Sequence, residues 1–397
     1  MNRPALAHWR AQTPGLQHVC HFNHAGSSLM PQPVLDVLQA QWQREAEHGG
    51  MEAAASVASA VDAAYQDAAR LLGAQPDEVA FSTGAGAAWG RLVASIRWQA
   101  GERILIGRQE WASNLALLQD LSQRHGLSLE VLPCRDDGSV DPDALSTLLD
   151  NRVRLVSLTW LPANGGLINP AAEIGQRLRG SRALYLIDAA QAVGQLPVDV
   201  NELQCDLLVA AGRKYLRGPR GSGLLYVRRE RLAELTPPYG NVHTQPWREG
   251  RFDWIDSARR FEDAELAPAI KLALGEAIRY ALDIGLDTIR QCIDQQAQAL
   301  RQRLATLPGV TLHDLSLQRS GLVSFTVDSL PASVLQQRLR QQGIHIGANG
   351  VAYTPLDMQA RGLHELARAS VSYYSSDEEQ HQLYHAIHAL IPQGEYL

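Results

Sequence analysis

The stretch that decides the fold is LVAAGRKYLRGPRGSGLLYV, residues 208–227. An apolar run leads into a loop with one lysine, three arginines and four glycines, and a second apolar run follows at once. Short apolar runs without strict alternation are typical of β-strands that are buried on both faces. The glycines permit a tight return between the two strands. The stretch therefore predicts two strands joined by a basic loop at one end of a sheet.

Similar apolar runs recur through the first two thirds of the chain and alternate with helical segments. The pattern predicts strands near residues 78–83, 103–107, 129–133, 153–160, 183–189, 205–211 and 222–229. Such runs indicate a mainly parallel sheet sandwiched by helices, which is an α/β fold. From about residue 260 a long helical stretch leads to a few short strands and a final helix, as in a small α+β domain. We predict a large domain over residues 21–258 and a small domain formed by residues 1–20 and 259–397.

Composition narrows the class of protein. The chain has 397 residues, a formal net charge of -6 and a pI near 6.1, which gives no reason to expect nucleic acid or a membrane as a partner. The N-terminus lacks an apolar signal segment. The cysteines are scattered at Cys20, Cys134, Cys205 and Cys292 without a paired motif. This pattern favours a cytoplasmic protein with free thiols and no metal site.

Three residues that can bind a ligand stand where predicted strands end: Trp111, Asp188 and Lys214. Ligands of open α/β sheets bind beyond the carboxyl ends of the strands. A buried aspartate needs a cationic partner, and a buried lysine acquires the lowered pKa that condensation with a carbonyl requires. An aromatic side chain there can stack on a flat ring. Taken singly, Trp111 also fits a core aromatic residue and Asp188 a helix N-cap, and a lysine such as Lys214 in a glycine-rich loop is more often a surface residue.

Taken together, these residues match the needs of one cofactor, pyridoxal phosphate (PLP). Lys214 would form the Schiff base, Asp188 would keep the pyridine nitrogen protonated, and Trp111 would cover one face of the ring. The arginines of the basic loop would bind the negatively charged phosphate and a substrate carboxylate. The sequence therefore predicts a PLP-dependent enzyme with a small amino-acid substrate.

Four motifs resemble the class V aminotransferase-fold enzymes of the cysteine desulfurase type. They are FNHAGSSLMP from residue 22, IDAAQAVG from residue 187, GRKYLRGPRG from residue 212 and LARASVSYYSSDEE from residue 366. The resemblance spans residues 21–385 and implies fold type I of the PLP-dependent transferases. It also implies that Gln191 contacts the ring hydroxyl and that Arg368 holds the substrate α-carboxylate through a bidentate fork.

The resemblance also assigns the remaining candidate residues, although some of these positions differ from the pattern of the relatives. The phosphate site falls on Ala85 and Gly86, where relatives often carry a threonine, and a helix N-terminus there can bind phosphate through its N–H groups. Arg213 and Thr244 are further candidates for this site, Thr244 from a partner subunit of an expected homodimer. Ala163 stands where relatives carry an asparagine, so the neighbouring Asn164 is predicted to face the cofactor instead. His24 and Ala25, in the NHAG turn, are candidates for substrate binding.

The reaction is predicted from a missing residue. A desulfurase needs a cysteine nucleophile before the substrate arginine, and no cysteine follows Cys292. We therefore expect a C–S β-lyase that acts on a cysteine S-conjugate or its sulfoxide and releases pyruvate and ammonia. HAGSSLMP, with the lysine loop, resembles the hercynylcysteine sulfoxide lyases of ergothioneine biosynthesis.

Two other interpretations remain open at this point. One is an aminotransferase or an epimerase of the same fold, similar to isopenicillin N epimerases. The other is a binding protein without catalysis. The segment NVHTQPWREGRFDW, residues 241–254, fits either a substrate pocket or an interface.

Overall fold

Two β-sheets organise the chain in the computed structural model, which describes residues 3–328 and 330–391. The larger sheet has seven strands, in the order Val79–Ser82, Gly223–Val227, Leu207–Ala211, Leu184–Asp188, Val153–Thr159, Arg103–Ile106 and Ser128–Val131, and the smaller has four, in the order Val310–Leu312, Leu322–Val327, Glu365–Ser370 and Gly347–Gly350. In the larger sheet only the strand Gly223–Val227 runs antiparallel to its neighbours. The smaller sheet is antiparallel throughout.

The strands and helices have the following bounds. The strands are β1 (Cys20–His21), β2 (Val79–Ser82), β3 (Arg103–Ile106), β4 (Ser128–Val131), β5 (Val153–Thr159), β6 (Leu184–Asp188), β7 (Leu207–Ala211), β8 (Gly223–Val227), β9 (Trp247–Arg248), β10 (Arg251–Phe252), β11 (Val310–Leu312), β12 (Leu322–Val327), β13 (Ile344–His345), β14 (Gly347–Gly350) and β15 (Glu365–Ser370). The helices are α1 (Arg3–Ala11), α2 (Gln32–His48), α3 (Gly50–Ser56), α4 (Ala58–Leu72), α5 (Ala85–Ala94), α6 (Ala112–His125), α7 (Pro142–Leu148), α8 (Ala171–Leu178), α9 (Val200–Leu203), α10 (Pro268–Ile284), α11 (Leu286–Ala305), α12 (Ala332–Gln341), α13 (Pro355–Ala360) and α14 (Asp377–Leu390).

The central strands of the larger sheet owe their pattern to burial on both faces. Every residue of β5, β6, β7 and β8 is buried. A strand covered on both sides has no polar face, so its sequence is an uninterrupted apolar run. All seven strands predicted for this region are present, and the predicted mainly parallel sheet with flanking helices is confirmed.

The N-terminal segment is joined to the C-terminal part of the chain. β1 pairs in parallel with β13, where Cys20 lies opposite Ile344. Arg10 of α1 forms an ion pair of 2.6 Å with Glu379 of α14. These contacts agree with a small domain that includes the N-terminus, although its predicted boundaries remain a prediction.

One glycine brings two backbone segments together at the carboxyl edge of the larger sheet. Gly223 begins β8, and a Cβ atom placed on it would lie 2.7 Å from the Cα atom of Gly84. Any larger residue would therefore push the N-terminus of α5 away from the basic loop. The close approach places the start of α5 beside the loop that carries Lys214.

Candidate active site

A cavity of about 450 Å³ lies between the carboxyl edge of the larger sheet and the smaller sheet. The ends of β5, β6 and β7, the starts of α5 and α6, and the basic loop form one side. β14, β15 and the turn after β14 form the other. Its lining includes Asn23, Ala25, Ala85, Gly86, Trp111, Asn114, Thr159, Ala163, Asp188, Gln191, Arg213, Lys214, Arg220, Asn349, Tyr353 and Arg368.

Lys214 enters the cavity from the loop after β7. Burial, helped by the charges of Arg213 and Arg368 and opposed by Asp188, lowers the pKa of its ammonium group to about 7. A lysine with a pKa near neutrality is partly in the free amine form that attacks carbonyl carbons. The chain contains only one other lysine, Lys271, which forms an ion pair of 2.9 Å with Glu262. Lys214 is therefore the residue suited to a covalent link with an aldehyde.

Asp188 is the last residue of β6, and its carboxylate is held in a fixed plane. Oδ1 accepts the N–H of Ala190 at 2.9 Å, and Oδ2 accepts Nδ2 of Asn114 at 3.1 Å. Within the described chain it has no arginine or lysine in ion-pair contact. A buried carboxylate without a cation is costly, so it suits a ligand that brings a protonated nitrogen.

The sides of the site are lined by Trp111 and Gln191. The Trp111 ring lies 5.4 Å from the ring of Tyr353, centroid to centroid, and both side chains face the cavity. Nε2 of Gln191 donates to the carbonyl of Ala25 at 3.0 Å, whereas its buried Oε1 has no partner among the described residues. That oxygen remains available to a hydroxyl group of a ligand.

The other end of the cavity is built for an anion. Ala85 and Gly86 lie in the first turn of α5, whose N–H groups have no partner inside the helix. Arg213 and Arg220 also line the cavity; Nη1 of Arg213 donates to the carbonyl of Gly26, and burial together with the charge of Arg220 lowers the pKa of Arg213. Two neighbouring guanidinium groups beside a helix N-terminus favour a phosphate group.

Arg368 projects from β15 and is buried without a carboxylate partner in the part of the chain that the structure describes. Nη1 donates to the carbonyl of Ala163 at 3.0 Å, Nη2 lies 3.5 Å from Oδ1 of Asn23, and Nε has no partner. Burial lowers the pKa of Arg368 to about 10. A buried guanidinium with spare donors is suited to a carboxylate from a ligand.

These observations fit PLP. Each part of the cofactor has a matching group in the cavity. The amine of Lys214 suits the aldehyde, and the carboxylate of Asp188 suits the protonated pyridine nitrogen. The ring of Trp111 suits the flat ring, and the N-terminus of α5 with its arginines suits the phosphate. The unpartnered atoms of Gln191 and Arg368 remain for the ring hydroxyl and the substrate.

Three of the predicted site residues do not line this cavity. His24 is fully buried behind it, with Nδ1 3.2 Å from Oγ of Ser28 and its ring against Tyr374, so its predicted contact with substrate is not supported. Asn164 donates from Nδ2 to Oγ1 of Thr354 at 2.8 Å and is not among the described lining residues, so its predicted contact with the cofactor remains a prediction.

Thr244 lies in a separate cleft of about 880 Å³, where its Oγ1 accepts the N–H of Asn241 at 3.0 Å. It does not reach the phosphate end within its own chain. Its predicted contribution from a partner subunit remains a prediction.

Sequence reasoning missed several lining residues, among them Asn114 and Tyr353. Asn114 stands three residues after Trp111, so one helical turn places both at the same edge, and this spacing was a usable signal. Tyr353 comes from the distant segment after β14, for which the sequence carried no such signal.

Comparisons with known proteins identify the family. The model of the family "Aminotransferase class-V" matches residues 20–383. The cysteine desulfurase of Pectobacterium atrosepticum is 30% identical over 374 residues, which cover 91% of this chain and 91% of that protein. A cysteine desulfurase of Salmonella agona is 30% identical over 394 residues, with 94% and 95% covered.

Solved structures agree with this assignment. The apo cysteine desulfurase of Thermococcus onnurineus NA1 superimposes with a TM-score of 0.90 at 24% identity, over 97% of this chain and 98% of that one. The cystine C–S lyase C-DES, in complex with its reaction product cysteine persulfide, has a TM-score of 0.86 at 26% identity, over 95% and 99%. The chain belongs to the class V aminotransferase family, and the predicted fold, enzyme class and PLP cofactor are confirmed.

The predicted reaction, by contrast, is wrong. Relatives that match more than nine tenths of the chain are named cysteine desulfurases, and a structural neighbour at 26% identity is a cystine C–S lyase. These names overturn the expected sulfoxide lyase and its aminotransferase and epimerase alternatives. They also overturn the exclusion of a desulfurase, because that exclusion rested only on the position of cysteines in the sequence. No helix in the described ranges is long and apolar enough to cross a membrane.

Proposed function

We propose that this protein is a PLP-dependent enzyme that breaks the Cβ–S bond of L-cysteine, with L-cystine as a second candidate substrate. The observation that carries the proposal is the pairing of Lys214 with Arg368 across one cavity. Arg368 is buried and Lys214 is half-buried, and neither forms an ion pair with a carboxylate within the described residues. An amino-acid substrate supplies the missing carboxylate, and the relatives named cysteine desulfurase suggest which amino acid it is.

Each residue of the site has a task in such a reaction. When bound, PLP supplies an aldehyde that condenses with amines and a ring that accepts electron density from the substrate Cα. Lys214 would hold the cofactor and afterwards take the Cα proton on Nζ, for which a pKa near 7 is well suited. Asp188 would keep a proton on the pyridine nitrogen, and Trp111 would cover the ring and exclude water from one face.

Arg368 would orient the substrate. A bidentate pair between its guanidinium and the α-carboxylate fixes the substrate about Cα. Asn23, 3.5 Å from Nη2, and the Ala163 carbonyl, 3.0 Å from Nη1, hold the guanidinium on the protein side. The unpartnered Nε remains for the substrate.

A specific observation favours L-cystine as the second candidate. Cys20, Cys205 and Cys292 are buried, Cys134 is half-buried, and none of the four belongs to the described lining of the cavity. Removal of sulfur from L-cysteine needs an acceptor thiol, which becomes a persulfide while the carbon skeleton gains a proton and leaves as alanine. Cleavage of L-cystine needs no acceptor: the Cα–H and Cβ–S bonds break, cysteine persulfide leaves, and the remaining dehydroalanine hydrolyses to pyruvate and ammonium.

The test compares the two substrates with the holoenzyme. L-cysteine with dithiothreitol as acceptor thiol should yield sulfide and alanine in equal amounts. If L-cystine is the substrate, persulfide and pyruvate should form without added thiol. Absence of turnover with both substrates would contradict the proposal.

The two lysines provide a matched pair of variants. K214R keeps the positive charge but cannot condense with an aldehyde, so turnover should fall to background and borohydride should no longer fix the cofactor to the protein. K271R keeps the ion pair with Glu262 and should retain both properties. Peptide mapping of the reduced holoenzyme should place the cofactor on Lys214, and its presence on Lys271 would refute the assignment.

We also propose that the protein is a cytoplasmic homodimer. Met51, which is 82% exposed, borders the cleft that holds Thr244. Shortly after Thr244 in the sequence, Trp247 and Phe252 of the β9–β10 hairpin are also exposed. Apolar side chains at this exposure are expected where another chain packs. Light scattering after size-exclusion chromatography should give about twice the mass of 43.5 kDa, and a monomer would contradict the proposal.

A further inference from the structure

A second carboxyl group lies behind Asp188 and has no role in the reaction outlined above. Glu110 follows β3 in the connection to α6 and is completely buried. Among the described residues it has no arginine or lysine in ion-pair contact. Its side chain is instead surrounded by hydrogen-bond donors, and the identity of those donors indicates what it does.

Oε1 of Glu110 accepts three hydrogen bonds from groups at the cofactor site. The donors are the backbone N–H of Trp111 at 3.0 Å, Nδ2 of Asn114 at 2.9 Å and Oγ1 of Thr159 at 3.0 Å. Oγ of Ser157 lies 2.8 Å from the other oxygen, Oε2. A single side chain thus links the start of α6 to the end of β5.

The amide of Asn114 joins the two carboxyl groups. One hydrogen of Nδ2 points to Glu110 and the other points to Oδ2 of Asp188 at 3.1 Å. The reversed amide would place its oxygen against both acidic groups, so Glu110 and Asp188 together fix the orientation. Asn114 in turn holds the carboxylate plane of Asp188, together with the N–H of Ala190 at Oδ1.

The backbone contact has a separate consequence for Trp111. This residue is the N-cap of α6, and its own side chain makes no capping hydrogen bond. Glu110 accepts the Trp111 N–H and, one turn later, the side chain of Asn114. The first turn of α6 is thereby fixed in the position that presents the Trp111 ring to the cavity.

We propose that Glu110 is a positioning residue that sets both ring contacts of PLP, the Trp111 side chain directly and the Asp188 carboxylate through Asn114. It acts as a hydrogen-bond acceptor, and its negative charge is not required. Burial, and then the charge of Asp188, raise the pKa of Glu110, which agrees with this role. The inference rests on the proposed contacts of Asp188 and Trp111 with the cofactor.

The experiment measures PLP affinity and the absorbance spectrum of the bound cofactor in variants. E110A and N114A should each weaken PLP binding to the apoenzyme at least tenfold and shift or reduce the visible absorbance band of the bound cofactor. The double variant should be no worse than the worse single variant, because both break one chain of contacts. E110Q keeps an acceptor oxygen for the three donors and should remain within about threefold of the native affinity.

Glu262 provides the control. It is also a buried carboxyl group that accepts a backbone N–H, from Phe81 at 2.9 Å, but it is not among the described residues that line the cavity. E262Q should alter the thermal midpoint and leave PLP affinity and spectrum unchanged.

Three results would overturn the inference. E110A could lower the thermal midpoint while affinity and spectrum stay native, which would make Glu110 merely structural. E110Q could be as damaging as E110A, which would make the charge the essential property. D188N could leave the spectrum unchanged, which would remove the proposed role of Asp188 and the inference that depends on it. If D188N loses the native spectrum while E110A keeps it, the inference about Glu110 fails and the proposed role of Asp188 stands.

Discussion

Arg217 and Arg368 are both buried arginines without a carboxylate partner in the described chain, yet their surroundings differ. All three donor groups of Arg217 are used: Nη2 donates to Oγ1 of Thr13 at 2.6 Å, Nη1 to the hydroxyl of Tyr373 at 2.5 Å and Nε to the carbonyl of Leu29 at 2.9 Å. Its guanidinium also lies 4.0 Å from the ring centroid of Tyr374. Arg368 retains an unpartnered Nε and faces the cavity.

The difference in hydrogen-bond partners distinguishes Arg217, whose charge is structural, from Arg368, whose charge is suited to binding a ligand. Burial by itself would lower the pKa of Arg217, but Tyr373 and Tyr374 oppose that effect and the pKa is raised. At Arg368 the effect of burial dominates, and the pKa falls to about 10. Neutral oxygens and aromatic rings compensate the first charge inside the protein. The second charge is compensated only when a ligand brings a carboxylate.

The largest effect should follow from removal of Arg368. R368Q should lower kcat/KM for L-cysteine about a thousandfold, or roughly 4 kcal/mol, because the bidentate hold on the α-carboxylate is lost. R368K should lose less, because an ammonium group keeps the charge without the fork. Steady-state kinetics measures both changes.

The free energy of unfolding provides the contrast for these variants. In urea it should be unchanged or higher in R368Q, because an uncompensated buried charge has been removed. Clear destabilisation of R368Q would mean that Arg368 is structural like Arg217.

R217M should show the opposite pattern. Loss of three buried hydrogen bonds and of the contact with Tyr374 should lower the free energy of unfolding by roughly 3 kcal/mol. The catalytic rate of the folded holoenzyme should change less than tenfold, because no donor of Arg217 is free for a ligand. Urea unfolding and steady-state kinetics on the same preparation test both statements. A loss of turnover as large as that of R368Q would break the distinction between the two arginines.

A smaller effect is expected on the pKa of Lys214. The positive charge of Arg368 is one of the causes that lower this pKa, after burial and Arg213, whereas Arg217 is not among them. R368Q should therefore raise the pKa of Lys214 in the apoenzyme by less than about one unit, and R217M should leave it near 7. Because the chain has only two lysines, ε-¹³C-lysine NMR should show two signals, which K271R assigns. Equal shifts in both variants would contradict the prediction.

The same pKa determines how the stability of the apoenzyme depends on pH. The folded pKa of Lys214, about 7, lies below the ordinary value of 10.5, so the unfolded chain binds more protons between these pH values. The stability of the native apoenzyme relative to K214M should rise with pH across this window, by up to about 1.4 kcal/mol per pH unit. Below pH 7 the difference should be constant. A difference that falls as the pH rises would contradict the lowered pKa.

The sequence predicted the fold well because its signals are local. Each strand of the larger sheet is an uninterrupted apolar run, and residues at the ends of parallel strands meet at one edge. Lys214, Asp188 and Trp111 could therefore be brought to one site before the structure was known, and the motif around Arg368 added a fourth member. Their individual roles remain predictions.

What the sequence could not predict depends on distant contacts. Arg217 and Arg368 are both arginines in partly apolar segments, and the partners that hold their guanidinium groups lie more than a hundred residues away in the sequence. His24 and Asn164 are not among the described lining residues, and their contacts with Tyr374 and Thr354 likewise come from distant parts of the chain. The prediction of the reaction was wrong for a different reason. It was inferred from an absent cysteine, and an absence in the sequence does not show which thiol receives the sulfur.

The smallest expected effect is a difference in stability between two variants of Arg217. It distinguishes the cost of the backbone conformation from the contribution of the side chain. The φ angle of Arg217 is +63°, in the left-handed region that a residue with a Cβ atom adopts at a cost. R217A and R217G lose the same hydrogen bonds, but only the glycine variant is relieved of that strain. R217G should therefore be more stable than R217A by about 1 kcal/mol in urea unfolding. Equal stability would mean that the turn relaxes once the guanidinium is gone, so that the hydrogen bonds to Thr13, Leu29 and Tyr373 impose the strained conformation.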